Sequence, residues 1–446
     1  MEASELNEHG MKLAKRLGAE DAVFISSAAS EQMVRFANDS LSVAKKIEER
    51  VLSVYLAKDA KRIVGVSTNV ESEGVDEFVK RLYKTLTNLS RDASYVPLPN
   101  KARRFEKPGP YDPKAGEAEK EVAEFARLAI ESAREAGAKR SAGSVTAELG
   151  SVDILTSSGT TGHDVGSSAL LNIRSFVDAK ASGHGLSCSS TLKGIDAAAA
   201  GRRAGEYAKG MADAAAPEEG TYTVLLSPTV AANLISLIGG FASAFSVEAG
   251  ISYLAEKVGK KVASESFSLT DHGRISGGLG GRTFDDEGTP TQSTKIIEGG
   301  VLRNYLHNLS TSKKFKASST GNAGWIDPNP WNLEVGAGDS TFSEMVREMK
   351  RGIVLTSNWY TRFTNYRTGE FSTVPRDGAF LVEDGRQTKP LSGMRMSDSL
   401  ERLFSSVLLL SKQREWIQWW EVDEPTLCPW VLVEGVKITR AYGSSP

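Results

Sequence analysis

The side chains able to hold a metal or move a proton are few and scattered. The five histidines are His9, His163, His184, His272 and His307. No two stand four residues apart, the spacing at which two imidazoles on one helix face share a zinc ion. None falls between His184 and His272, so the uncharged stretch 220–247 supplies no H-E-x-x-H-type helix. A metal site would have to be assembled from Asp271, His272 and His307 with the carboxylates Asp285, Asp286 and Glu287. Three adjacent carboxylates lack the alternating spacing of a calcium loop. They read as a turn, or as a cradle for a cation or peptide amine.

Other chemistry is thinner still. The segment Gly159-Thr160-Thr161-Gly162-His163-Asp164 and the cluster Ser187 to Ser190 contain no G-x-S-x-G elbow, and such clusters are usually loops. Gly277, Gly278, Gly280 and Gly281 have neither the spacing nor the following helix of a dinucleotide fingerprint. Cys188 and Cys428 form no C-x-x-C pair and no disulfide framework, which suits a reducing compartment. Cys428, with no histidine or cation beside it, reads as a small core residue. The basic run around Lys101, Arg103 and Arg104 lacks aromatic or further basic partners and reads as a solvated connector. With 54 Lys and Arg against 56 Asp and Glu, the charge of -2 exerts no pull towards nucleic acid or an anionic membrane.

The elements that must position these groups can be read from periodicity. A chain of 446 residues suits two or three domains. A helix over 4–17 buries Leu6, Leu13, Ala14 and Leu17 and stops at Gly18. Strand runs follow at 22–26, 33–36, 41–47, 51–57 and 63–66, with hairpins at Asn38-Asp39 and Lys58-Asp59. Val75, Phe78, Val79, Leu82 and Leu86 mark a second helix. A Pro-rich extended connector spans 91–114. A third helix carries Val122, Phe125, Ala126, Ala129 and Ala133 and ends at Gly137. Strands at 144–149, 152–158 and 168–180 and an Ala-rich helix over 197–214 complete an N-terminal domain, residues 1–216.

Residues 217–446 form the second expected domain, which is richer in strands. Thr221 to Leu226 reads as a buried strand, and a buried helix starts after Ser227-Pro228. Pro228, Asn233 and several serines argue against a membrane span. Hairpins are expected around Gly299-Gly300 and Asp384-Gly385, and helices over 342–350 and 399–411. All seven tryptophans lie from Trp325 onward, with Trp416, Trp419 and Trp420 close together. The fold class is α+β: an N-terminal α/β domain followed by a mainly antiparallel, β-rich C-terminal domain.

Across about 160 positions the second half resembles the TldD/PmbA family of peptidase subunits, also called modulators of DNA gyrase. The resemblance rests on Val-Leu-Leu-Ser-Pro-Thr-Val-Ala at 224–231, Val-Gly-Lys-Lys-Val-Ala-Ser at 258–264 and Thr-Phe-Asp-Asp-Glu-Gly-Thr-Pro-Thr-Gln at 283–292. It continues with Ile-Glu-Gly-Gly-Val-Leu at 297–302, Ser-Thr-Gly-Asn-Ala-Gly at 319–324 and Gly-Ala-Phe-Leu-Val-Glu-Asp-Gly-Arg at 378–386. In that family TldD-type subunits carry zinc on an H-E-x-x-x-H helix just after the strand, and TldE/PmbA-type subunits lack it. Here the window reads Asn-Leu-Ile-Ser-Leu-Ile-Gly-Gly-Phe at 233–241. The resemblance therefore implies a cytoplasmic, non-catalytic TldE-type subunit with no catalytic or metal-binding residue of its own. Zinc would sit in a TldD-type partner, the two would form a heterodimer, and the substrate would be a peptide. No membrane or direct nucleic-acid contact is expected. Asp285, Glu287, His307, Thr320, Gly321 and Asn322 are the candidates for touching peptide or partner. A regulatory or binding module without a peptidase partner, and a peptidase with a non-zincin site, are the alternatives. Residues 414–423 depart from the Gly- and Asn-rich stretch the resemblance leads one to expect. They suit either an interface or a local core cluster.

Overall fold

The computed structural model describes residues 2–105 and 108–440. Its first sheet uses strands between residues 21 and 189, framed by four helices. In chain order these are α1 (Ala3–Leu17), β1 (Asp21–Ala37), β2 (Ser40–Lys58), β3 (Lys61–Ser67), α2 (Ser72–Thr87), β4 (Arg104–Phe105), α3 (Glu119–Glu135), β5 (Arg140–Thr156), β6 (Thr161–Phe176), β7 (Ser182–Ser189) and α4 (Ala197–Gly210). The sheet order is β3-β2-β1-β5-β6-β4, with β7 also on β6.

The short strands expected from sequence merge into long ones. The runs at 22–26 and 33–36 are both β1, and those at 41–47 and 51–57 are both β2. The small and polar residues between them interrupt the apolar alternation without breaking the extended backbone. Asn38 and Asp39 take φ of 50° and 62°, and Asp59 and Ala60 take 51° and 58°. Two left-handed residues per turn match the twist of the flanking strands. The second turn lies one residue later than the Lys58-Asp59 expected.

α1 and α2 bury Leu6, Leu13, Phe78 and Leu82 against Phe24, Leu52 and Leu56. α3 and α4 cover Val145, Leu171 and Ile173. The α3–α4 approach depends on glycine: a Cβ on Gly201 would lie 2.1 Å from the Ala129 carbonyl oxygen.

The second sheet has 13 strands between residues 220 and 440, mostly antiparallel. Its hub is the last strand, Val422–Arg440. This strand pairs with Val407–Trp419, Met394–Ser399 and β8 (Gly220–Leu226), and in parallel with Leu333–Val335. On this hub lies α5 (Pro228–Phe241), in which Val230 to Ile235 are all buried. Ser227 caps the helix: its hydroxyl accepts from Val230 N–H at 3.3 Å and donates to the Thr356 carbonyl at 2.8 Å. Among the described residues no helix is long and apolar enough to cross a membrane.

The turns at Gly299-Gly300 and Asp384-Gly385 fall where expected, all four residues at positive φ. One element differs. The helix expected over 399–411 ends after Leu400–Ser405, and Val407–Trp419 is a strand. The run Val-Leu-Leu-Leu at 407–410 suits either state, and pairing with the last strand decides it. The chain is thus an α+β protein: a helix-covered N-terminal sheet followed by a mainly antiparallel, β-rich part.

The two sheets meet through specific contacts. The Arg174 guanidinium donates to the buried Asp377 carboxylate at 2.7 Å. Asp164 accepts from Thr283 N–H at 2.6 Å and pairs with Arg274. The Phe105 and Phe284 rings lie 5.3 Å apart.

Candidate functional site

The face of α5 around Asn233 is closed by its own hydrogen bonds. The Asn233 Oδ1 accepts from Asn358 Nδ2 at 2.7 Å and from the Thr361 hydroxyl at 2.6 Å. Its Nδ2 donates to the Glu421 carbonyl. Thr373 joins the same network through Asn358 and Thr361, at 3.0 and 2.8 Å. The neighbours of Asn233 along the window, Leu234, Ile235 and Ile238, are buried core. A zinc site needs several convergent nitrogen, sulfur or carboxylate donors. This window offers an amide and hydroxyls already committed to one another, so the residues present do not fit zinc. Among the described residues no three His, Cys, Asp or Glu side chains converge as a metal site.

Beside this network the C-terminal tryptophans divide. Trp419 is buried and packs on Trp359 and on His184, whose ring centroid is 4.6 Å away. Burial pushes the His184 imidazole down to about 4, and its nitrogens lie 3.0 Å from the Ser357 hydroxyl and 3.1 Å from Asn172 Oδ1. Trp420 is half exposed and touches Trp359 and Tyr360. Trp416 points elsewhere, towards Gly277. One part of the aromatic cluster is therefore core and another is surface.

The residues singled out from sequence around 285–322 do come together, chiefly as loop anchors. Asp285 accepts from Glu287 N–H at 3.0 Å, Thr289 N–H at 2.8 Å and Ala323 N–H at 3.1 Å. Glu287 accepts from Leu309 N–H at 2.9 Å. Burial raises both carboxyls; the Asp286 charge adds to the rise at Asp285, and the Asp285 charge adds to the rise at Glu287. Asn322 donates to the buried Asp271 at 2.7 Å, and Gly321 turns the chain at φ 70°. A Cβ at Gly321 would lie 2.2 Å from the Pro290 carbonyl oxygen. His307 and Thr320 are joined at 2.7 Å, and burial lowers the His307 imidazole to about 4.

His307 and Thr320 line a cleft of about 1000 Å³, with Ser293, Lys295, Tyr305 and Phe315. Asp285, Glu287, Gly321 and Asn322 are not among its lining residues. His272 belongs to a different group. Its Nδ1 is 2.7 Å from the Ser293 hydroxyl and its Nε2 is 2.8 Å from Glu334. Glu334 also accepts from Arg414 at 2.7 Å. Burial alone would raise the Glu334 carboxyl, but the bonds from Arg414 and His272 outweigh it and hold it below its ordinary range. The sequence reading passed over Ser293 and Glu334, because neither sits in a motif. The only signal was strand alternation on either side of His272. His163, by contrast, pairs with Asp153 on an exposed face, and Cys188 donates to the Trp416 carbonyl, its thiol pushed up to about 12 by burial.

The site thus lies in an α+β protein of two sheets, with a buried helix directly after β8. Residues 219–440 match the family described as the PmbA/TldA metallopeptidase C-terminal domain, and through them the chain belongs to the PmbA/TldD family. A metalloprotease of Methanocaldococcus jannaschii is 32% identical over 207 residues, 44% of this chain and 45% of that protein. The matched stretch is thus under half the length of that relative. TldE of Thermococcus kodakarensis shares the fold with a TM-score of 0.87 at 20% identity, over 97% of this chain and all of that one. A Thermotoga maritima protein described as a candidate modulator of a DNA gyrase aligns with a TM-score of 0.85 at 24% identity, covering 98% of this chain and 100% of that one.

Proposed function

We propose that this chain is the zinc-free, TldE-type subunit of a cytoplasmic metallopeptidase pair. In this reading it completes the substrate cavity of a TldD-type partner that carries the zinc, and peptide cleavage is a property of the pair. The observation that carries the reading is the α5 window. The helix lies directly after the strand, as a zinc-bearing helix of the family would, yet Asn233 is spent on Asn358, Thr361 and the Glu421 carbonyl. The family of the C-terminal part supports the peptidase context. The exposed Trp420–Tyr360 surface beside the window supports a partner seated there, since clustered aromatics favour buried contacts.

Co-expression with a TldD-type subunit tests this. A stable one-to-one complex is expected, with zinc near one equivalent per pair and little in the isolated chain. Peptide hydrolysis should need both chains and be lost on chelation. Equimolar tight zinc in the isolated chain would overturn the reading. So would recovery of only a non-peptidase partner, which would favour a regulatory module instead.

A further inference from the structure

The strand Ser293–Glu298 pairs with Leu269–His272 on one side. On the other, Val301–Leu302 reaches only Ile297 and Glu298. The Gln292 carbonyl accepts from Gly273 N–H on the His272 side. Alternation along a strand then turns the main-chain groups of Ser293 and Lys295 to the other side, which has no strand partner there among the described residues. The Lys295 carbonyl accordingly accepts from the Asn304 side chain at 2.8 Å. This open edge forms one wall of the cleft described above.

The same register explains the contact between Ser293 and His272. They are directly opposite and form a non-hydrogen-bonded pair, the closer of the two antiparallel pair types. Glu334 lies one strand further on, opposite Thr270, and so on the same face as His272 along the diagonal. The result is hydroxyl, imidazole and carboxylate in line, with bonds of 2.7 and 2.8 Å, and Arg414 fixing the carboxylate from behind. A nucleophile bonded to a base, and a base bonded to an orienting acid, is the geometry of acyl-transfer sites, recognised by roles rather than sequence order.

We propose that Ser293 and His272 form a serine acyl-transfer site, with Glu334 as its positioning residue, acting on ester bonds of extended chains laid along the open edge. With Nε2–H donated to Glu334, His272 presents the Nδ1 lone pair to the Ser293 hydroxyl. The Ser293 Oγ attacks the carbonyl carbon, and its proton passes to Nδ1. The main-chain N–H of Ser293 faces the cleft and serves as a donor to the oxygen that becomes negative. The bond to the leaving alcohol breaks as Nδ1 returns the proton to it, leaving an acyl ester on Ser293. Water, deprotonated by the same nitrogen, then hydrolyses that ester to a carboxylic acid and restores the hydroxyl. The site is on a different element from α5 and uses no metal, so it goes beyond the paired-peptidase reading.

The test is labelling of the purified full chain, in the presence of EDTA, with a biotinylated fluorophosphonate. One phosphonyl group per chain is expected, mapped to Ser293 by peptide mass spectrometry. S293A should lose it; Ser293 is exposed, so this variant should fold. H272A should label at least roughly 100-fold more slowly, in line with loss of a general base. H272Q, which keeps hydrogen bonding across the strands, should be equally slow. E334Q should label more slowly than wild type and E334D should recover part of the rate, which a merely structural carboxylate would not do. Wild-type labelling no faster than that of heat-unfolded chain would overturn the proposal, as would Ser293 labelling unchanged in H272A and H272Q. No partner subunit or zinc is present, so failure here leaves the paired-peptidase proposal intact, and the reverse.

Discussion

At the scale of single residues, the α5 network is the sharpest feature. N233A removes the acceptor of both the Asn358 amide and the Thr361 hydroxyl inside the core. Stranding buried donors costs about 1–3 kcal/mol, so urea unfolding should show a loss of that size. The carboxyls of Asp285 and Glu287 give a pH signature. Unfolded, they ionise near their ordinary values of 3.8 and 4.5; folded, burial raises both. Above those ordinary values the unfolded chain has lost protons that the folded chain still holds, so stability falls as pH rises through the acidic range into the neutral. E287Q removes one such proton, and its side-chain oxygen can still accept from Leu309 N–H. Its advantage over wild type should therefore grow with pH, as measured by thermal melts at several pH values. At this scale the sequence was informative about absence more than presence. The lack of ligands on α5 needed only residue identities. Ser293 and Glu334 stayed hidden because they meet His272 only through strand register, which separates them by 21 and 62 positions in the chain.

Among the elements, caps and turns were legible because a local signal specifies each. Ser227-Pro228 announced the start of α5, and Gly299-Gly300 and Asp384-Gly385 announced their hairpins. S227A deletes the cap bond to Val230 and the bond to the Thr356 carbonyl. A lost N-cap costs about 1 kcal/mol, so a lowered melting temperature with an unchanged circular-dichroism spectrum is expected. Where the local signal was ambiguous, tertiary pairing decided. The apolar run at 407–410 gave no period that separates strand from helix, and the last strand claimed it. The long β1 and β2 read as fragments for a related reason: their middle residues face solvent on part of the hairpin, where no core imposes alternation.

For the molecule as a whole, the contacts between the sheets matter most. The Asp377 side chain is fully buried, and Arg174 neutralises it from the first sheet. R174A leaves that charge without its cation, which typically costs about 3–5 kcal/mol. Denaturant unfolding should show the loss, and D377N should soften it when combined with R174A. None of this pairing could be read from sequence, because 203 positions separate the two residues. The position of the hub strand has a consequence for how the protein is made. The first sheet is complete once Ser189 has been synthesised, but the second cannot close until residues 422–440 arrive to join β8, Leu333–Val335, Met394–Ser399 and Val407–Trp419. At about 5–20 residues per second, the ribosome needs on the order of 10–50 s to cover that gap. From residue 241 onward, the almost wholly apolar α5 waits without the strand it lies on. The nascent chain should therefore recruit chaperones in its second half and not its first, and a stop codon before residue 422 should yield an insoluble product with a folded N-terminal sheet.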